Sequence, residues 1–132
     1  PNSLLGDAEW YAVVDLYGSS LTPYPGSPRH LGYLGAKHVL TLPFWDGDKV
    51  PEETLDKVWN LYRQARGRPV LIHCAAGLSR SASVAYAILR RHHGFSHERA
   101  LRRVQTPGHE HEYPLKKTLG SARAWVHARP SR

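Results

Sequence analysis

Residues 73–81 read His-Cys-Ala-Ala-Gly-Leu-Ser-Arg-Ser and place the single cysteine of the chain, Cys74, six positions before Arg80. An apolar run, Val-Leu-Ile, precedes them, and a stretch of helix-compatible residues follows. A short loop from a strand end to a helix start turns successive backbone N–H groups inward, and the helix start adds partial positive charge. Gly77 allows backbone angles that a Cβ would resist. Arg80 can close the ring with a planar, two-pronged guanidinium suited to phosphate oxygens. Such a cup takes a dianion, and its field favours the thiolate of Cys74 over the thiol. One loop thereby offers a nucleophile, an anion site and charge stabilisation for a transition state. The plain alternative is a buried core cysteine beside a solvated arginine. It does not explain why Gly77, Ser79, Arg80 and Ser81 all suit the same cup.

Other elements must position this loop. Residues 10–16 (WYAVVDL), 38–42 (HVLTL) and 69–74 (PVLIHC) are short runs rich in apolar, β-branched or aromatic residues, expected to be buried strands. Residues 19–29, with three prolines, read as a loop. A helix is expected from Pro51 to a stop at Gly67, with Leu55, Val58, Tyr62 and Ala65 on one face. A second should run from Arg80 to His93, with Ala82, Ala85, Ile88 and Leu89 inward. Ser96 is placed to cap a short helix through Val104. A last helix should follow Pro114, with Leu115, Leu119, Ala122 and Val126 on one stripe. Strands alternating with helices imply an α/β fold: one small domain over residues 1–132, a central, mainly parallel sheet flanked by helices, and a helical C-terminal part.

The HCAAGLSRS loop, with its strand and helix, resembles the Cys-x5-Arg signature of the protein tyrosine phosphatase superfamily, and is most similar to the dual-specificity branch. The likeness extends upstream to about Val39. It implies a cysteine-dependent phosphatase that hydrolyses phosphotyrosine, phosphoserine or phosphothreonine through a phosphocysteine intermediate, with a phosphatase-type fold and no cofactor or metal. Carried over by position, Cys74 is the nucleophile and Arg80 the phosphate clamp. His73 orients the loop and helps keep the thiolate, and Ser81 supports the sulfur as leaving group. The backbone N–H groups of Ala75, Ala76, Gly77, Leu78, Ser79 and Arg80 line the cup. The resemblance also implies an acid on an upstream loop. Asp46, in Pro-Phe-Trp-Asp after the second strand, fits that place, while Asp48 stands as competitor and both read alternatively as turn residues. No counterpart of the tyrosine-bearing loop of strictly tyrosine-specific members is found. A shallow pocket, open to protein, phosphoinositide and other phosphates, is therefore expected.

Composition narrows the alternatives. The 132 residues carry 18 Lys and Arg against 11 Asp and Glu, net +7. Residues 67–132 hold twelve basic and three acidic side chains, net +9, whereas residues 1–66 are net −2. This basic half suits an anionic phosphosubstrate, so no nucleic-acid partner is expected. A rhodanese-like cysteine loop is disfavoured by Ser81 after the arginine and by the upstream aspartate. A binding-only relative is disfavoured because Cys74, Arg80 and a candidate acid are all present. His109, Glu110, His111 and Glu112 could bind a metal, although such a polar loop is usually just solvated. The lone cysteine, the lack of a secretory signal and the lack of a long apolar run lead to the expectation of a chain in the reducing cytoplasm without a membrane span; a monomer is expected.

Overall fold

The computed structural model describes residues 10–17, 36–74, 79–108, 110 and 112–128. The expected loop at residues 19–29 lies outside them. Strands β1 (Ala12–Asp15), β2 (His38–Thr41) and β3 (Val70–His73) form one sheet in the order β2-β1-β3. Both pairings are parallel, with Val13 opposite Val39 on one side and Leu71 on the other. Ala12, Val13 and Val14 of β1 are wholly buried, as a central strand requires. The other two strands depart from the expected burial. β2 is largely exposed and β3 half-buried, because each lies at an edge of the described sheet, and apolar composition alone does not separate edge from centre.

Helix α1 (Glu52–Ala65) joins β2 to β3. Glu52 and Glu53 complement the positive end of its dipole, and Arg66 (φ 52°) then Gly67 (φ 85°) turn the chain out of it. Leu55 and Val58 are fully buried on its inner face, each worth about 1.5–3 kcal/mol relative to exposure. Helix α2 (Arg80–Arg91) leaves β3 and is the central helix, packing on β3, α1, α3 (His97–Val104) and α4 (Lys116–Ala128). It therefore buries more than the expected stripe. Ser81, Ala82, Ser83, Val84, Tyr86, Ala87 and Ile88 are all buried, while Ala85 and Leu89 are only half-buried. Small residues at these positions let four elements approach at once.

Ser96 caps α3 as expected, its hydroxyl accepting from Arg99 N at 3.1 Å. Helix α4 is turned relative to the expected stripe: Thr118, Ala122 and Trp125 are buried, while Leu115, Leu119 and Val126 flank them half-buried. Trp125 decides the orientation. Its ring packs edge-on against Trp59 at 6.4 Å, and its Nε1 donates to Asp56 at 2.9 Å. The Arg91 guanidinium lies over both tryptophans, 5.0 and 5.2 Å from their centroids. β1 thus holds β3 from one side, and α4 holds α2 from the other.

Candidate active site

The site lies at the C-terminal end of the strands, where β3 stops at His73 and α2 begins at Arg80. Cys74 is buried, with 3% of its surface exposed. The Ser81 N–H donates to Cys74 Sγ at 3.3 Å, and Ser81 Oγ stands 3.3 Å from the same sulfur. The sulfur therefore rests against the first turn of α2, where unpaired N–H groups and the helix dipole favour negative charge. Ser79 makes no side-chain cap on α2, so the side chain next to the loop does not compete for those donors.

Arg80 is 7% exposed. Its Nη1 donates to the Phe44 carbonyl at 3.0 Å, and its guanidinium carbon lies 5.4 Å above the Tyr17 ring. Its Nε is 3.7 Å from Asp46 Oδ1 and, though buried, has no hydrogen-bond partner among the described residues. An ion pair at that distance leaves the donor available for another acceptor. Residues 75–78 lie outside the described residues, so the structure places Cys74, Ser79, Arg80 and Ser81 but not the intervening N–H groups of the expected cup.

The Asp46 loop leaves β2 through Leu42, whose N–H reaches Asp15 O at 2.8 Å. A turn closed by Asp48 N–H to Trp45 O at 3.1 Å follows, with Gly47 at φ 84°. Asp46 points its carboxylate at Arg80 from a half-exposed position, 52% of the side chain being accessible. Asp48 is committed elsewhere. It accepts from Lys49 N at 2.9 Å and pairs with Lys117 Nζ at 3.1 Å. The backbone bond first, then Lys117, holds its carboxyl below the ordinary carboxylate value. Tyr17, Pro43, Phe44 and Trp45 line an open hollow of about 310 Å³ beside Arg80.

No protein-family model matches the chain, and no curated protein is similar enough in sequence to count as a relative. Solved structures do match. Tk-PTP in its active form is 27% identical with a TM-score of 0.64, covering 91% of this chain and 78% of its own. A mouse putative dual specificity phosphatase, solved complexed with zinc tungstate, is 26% identical with a TM-score of 0.62, over 95% and 72% of the two chains. Human DUSP28, at 22% identity and a TM-score of 0.61, shares the fold over 94% and 76%. In fold and sequence the chain is similar to dual-specificity phosphatases of the protein tyrosine phosphatase superfamily.

Around the dual-specificity-like loop the structure gathers residues that its motif does not announce. Asp15, buried at the end of β1, sits opposite His73 in the strand register and accepts from Tyr17 N at 2.9 Å. Burial pushes the His73 imidazole below its ordinary value of 6.5, against the opposing pull of the Asp15 charge. His73 is therefore neutral near pH 7, and any help it gives the sulfur comes through an N–H and not a positive charge. An acidic residue closing an apolar strand at the same sheet end as the cysteine was the available signal for Asp15. The Phe44 carbonyl and the Tyr17 ring, which seat Arg80, left no signal of their own. Ser79 also serves the packing of α4, since its buried hydroxyl accepts from Leu115 N at 2.8 Å. Glu110 of the candidate metal loop takes Gly108 N with both carboxylate oxygens, at 3.1 and 3.2 Å. His109 and His111 lie outside the described residues, and among the described ones no three potential ligands cluster.

Proposed function

We propose that the chain is a single catalytic domain that hydrolyses phosphate monoesters of tyrosine, serine or threonine side chains through a phosphocysteine intermediate. The observation that carries this reading is the placement of Cys74 Sγ against the Ser81 N–H and Oγ, next to Arg80, with Asp46 3.7 Å from the clamp. The Cys74 thiolate attacks phosphorus and the bond from phosphorus to the ester oxygen breaks. Asp46, protonated, gives its proton to that oxygen, so the product leaves as a neutral alcohol or phenol. Arg80 and the N–H groups of residues 75–80 hold the non-bridging oxygens as charge shifts.

In the second step a water attacks phosphorus, Asp46 takes its proton, and the P–S bond breaks. The departing sulfur regains its negative charge facing the Ser81 N–H and hydroxyl, which stabilise it. Asp46 suits the acid role because it is half-exposed and paired with Arg80, a contact that an incoming dianion displaces. Asp48, held ionised by Lys49 N–H and Lys117, is a poor proton donor. The steps use no cofactor or metal. The open hollow of Tyr17, Pro43, Phe44 and Trp45 accommodates the organic part of an ester whose phosphate sits at Arg80.

The test is a profile of initial rates on phosphotyrosine, phosphothreonine and phosphoinositide substrates, for the native chain and Cys74→Ser. The proposal expects turnover of phosphopeptides by the native chain alone, since a serine hydroxyl is not ionised at neutral pH. Retention of a tenth of the native rate by Cys74→Ser would rule out covalent catalysis through Cys74.

A further inference from the structure

We propose that the start of α4 is the brace that positions the general acid, with Leu115 and Ser121 as its positioning residues; this rests on the assignment of Asp46 above. Residues 42–51 form no helix or strand, yet a proton donor must stand within hydrogen-bond reach of one oxygen, and small misplacements are costly. Beyond Leu42, held by Asp15, and the Arg80 contacts at Phe44 and Asp46, the anchors of that loop lie on one segment. Val50 N donates to Ser121 Oγ at 2.8 Å, and Ser121 Oγ in turn donates to Thr118 O at 2.7 Å, so the helix itself aims the hydroxyl. Lys117 pairs with Asp48 at 3.1 Å. Leu115 Cδ1 stands 3.4 Å from where a Cβ on Gly47 would lie, directly beside Asp46 in the chain.

The same segment also grips the other half of the site. Leu115 N donates to Ser79 Oγ at 2.8 Å, and Ser79 is the residue before the Arg80 clamp. One helical start thereby ties the acid loop and the exit of the phosphate loop together, across 71 and 36 residues of sequence. The brace adds a second constraint on the Asp46 to Arg80 separation, beside the direct bond from Arg80 to the Phe44 carbonyl. Lid and acid loops commonly depend on such anchors remote from the chemistry.

The experiment measures kcat/KM, which reports cleavage of the ester, for aryl phosphates of graded leaving-group acidity. It compares the native chain with Ser121→Ala, Ser121→Thr, Asp46→Ala and the Asp46→Ala/Ser121→Ala double variant. Ser121→Ala should lose about tenfold on the least acidic leaving group and under about twofold on the most acidic. Ser121→Thr, which keeps the hydroxyl, should recover most of the loss. The double variant should be no slower than Asp46→Ala alone, because a brace has nothing to position once the acid is gone. If Ser121→Ala does not fold, Leu115→Ala, which keeps the backbone bond to Ser79, must show the same leaving-group pattern. Equal loss on every leaving group, or full additivity in the double variant, overturns the brace. A flat leaving-group dependence in Asp46→Ala overturns instead the acid assignment beneath it.

Discussion

Replacing Arg80 tests how the clamp is built. Within the guanidinium, Nη1 seats the side chain on the Phe44 carbonyl at 3.0 Å, while Nε, without a hydrogen-bond partner among the described residues, remains available to an anion. Two charge-assisted bonds to a phosphate dianion are worth about 1.5–3 kcal/mol each, so Arg80→Ala should lose about 3–6 kcal/mol of transition-state stabilisation. That is a fall of about 10²–10⁴ in kcat/KM. Arg80→Lys keeps the charge but has one nitrogen, which cannot hold Phe44 O and two phosphate oxygens in a plane. It should lose one such bond and the pairing geometry, a fall of about 10–10². The assay is kcat/KM on an aryl phosphate, with thermal unfolding of each variant as the control for the buried site. An Arg80→Lys enzyme within about threefold of native would refute a bidentate clamp.

Asp46→Ala should lower kcat/KM by about 10²–10⁴ on alkyl or unactivated aryl phosphates and far less on those with acidic leaving groups. Asp48→Ala, which removes an exposed pair with Lys117, should stay within about fivefold; the reverse ranking would exchange their roles. Ser81→Ala should lower kcat while leaving kcat/KM within about threefold, because the sulfur leaves only in the second step; rapid mixing should then show a burst of product equal to the enzyme. His73 and His97 are both pushed below 6.5, each chiefly by burial. The unfolded chain therefore binds more protons as pH falls below 6.5, and the stability these residues contribute is full above that value and lost beneath it. Thermal midpoints taken downward from neutral pH should fall, less steeply in His73→Asn; an unchanged slope would remove burial of His73 as a cause.

The candidate loop could be picked out in the sequence because its parts are contiguous: the strand before Cys74, the glycine, Arg80 and Ser81 occur within a dozen residues. Ser96 was readable for the same reason, since a cap acts on a residue three positions away. What escaped depends on contacts between distant segments. The Asp15 and His73 pairing exists only once β1 lies beside β3. The Ser79 and Ser121 hydroxyls each serve an N–H that is 36 or 71 residues away; Ser79 stood out as part of the cup but not for this bond, and Ser121 looks like any surface serine. The α4 stripe was legible in part: Leu119, Ala122 and Val126 do face the core, but spacing did not single out Trp125, whose indole is buried deeper and finds Asp56 for its N–H. β2 was misjudged because its letters do not say which strands will flank it.

The phosphocysteine intermediate is central to the proposed mechanism, and one measurement reaches it directly. Enzyme mixed with an excess of an aryl phosphate, quenched in acid within milliseconds and weighed intact, should carry one added phosphoryl group. Peptide mapping should place it on Cys74, and Cys74→Ser should carry none. Turnover under the same conditions with no phosphoryl group on Cys74, or with one on another residue, would contradict it.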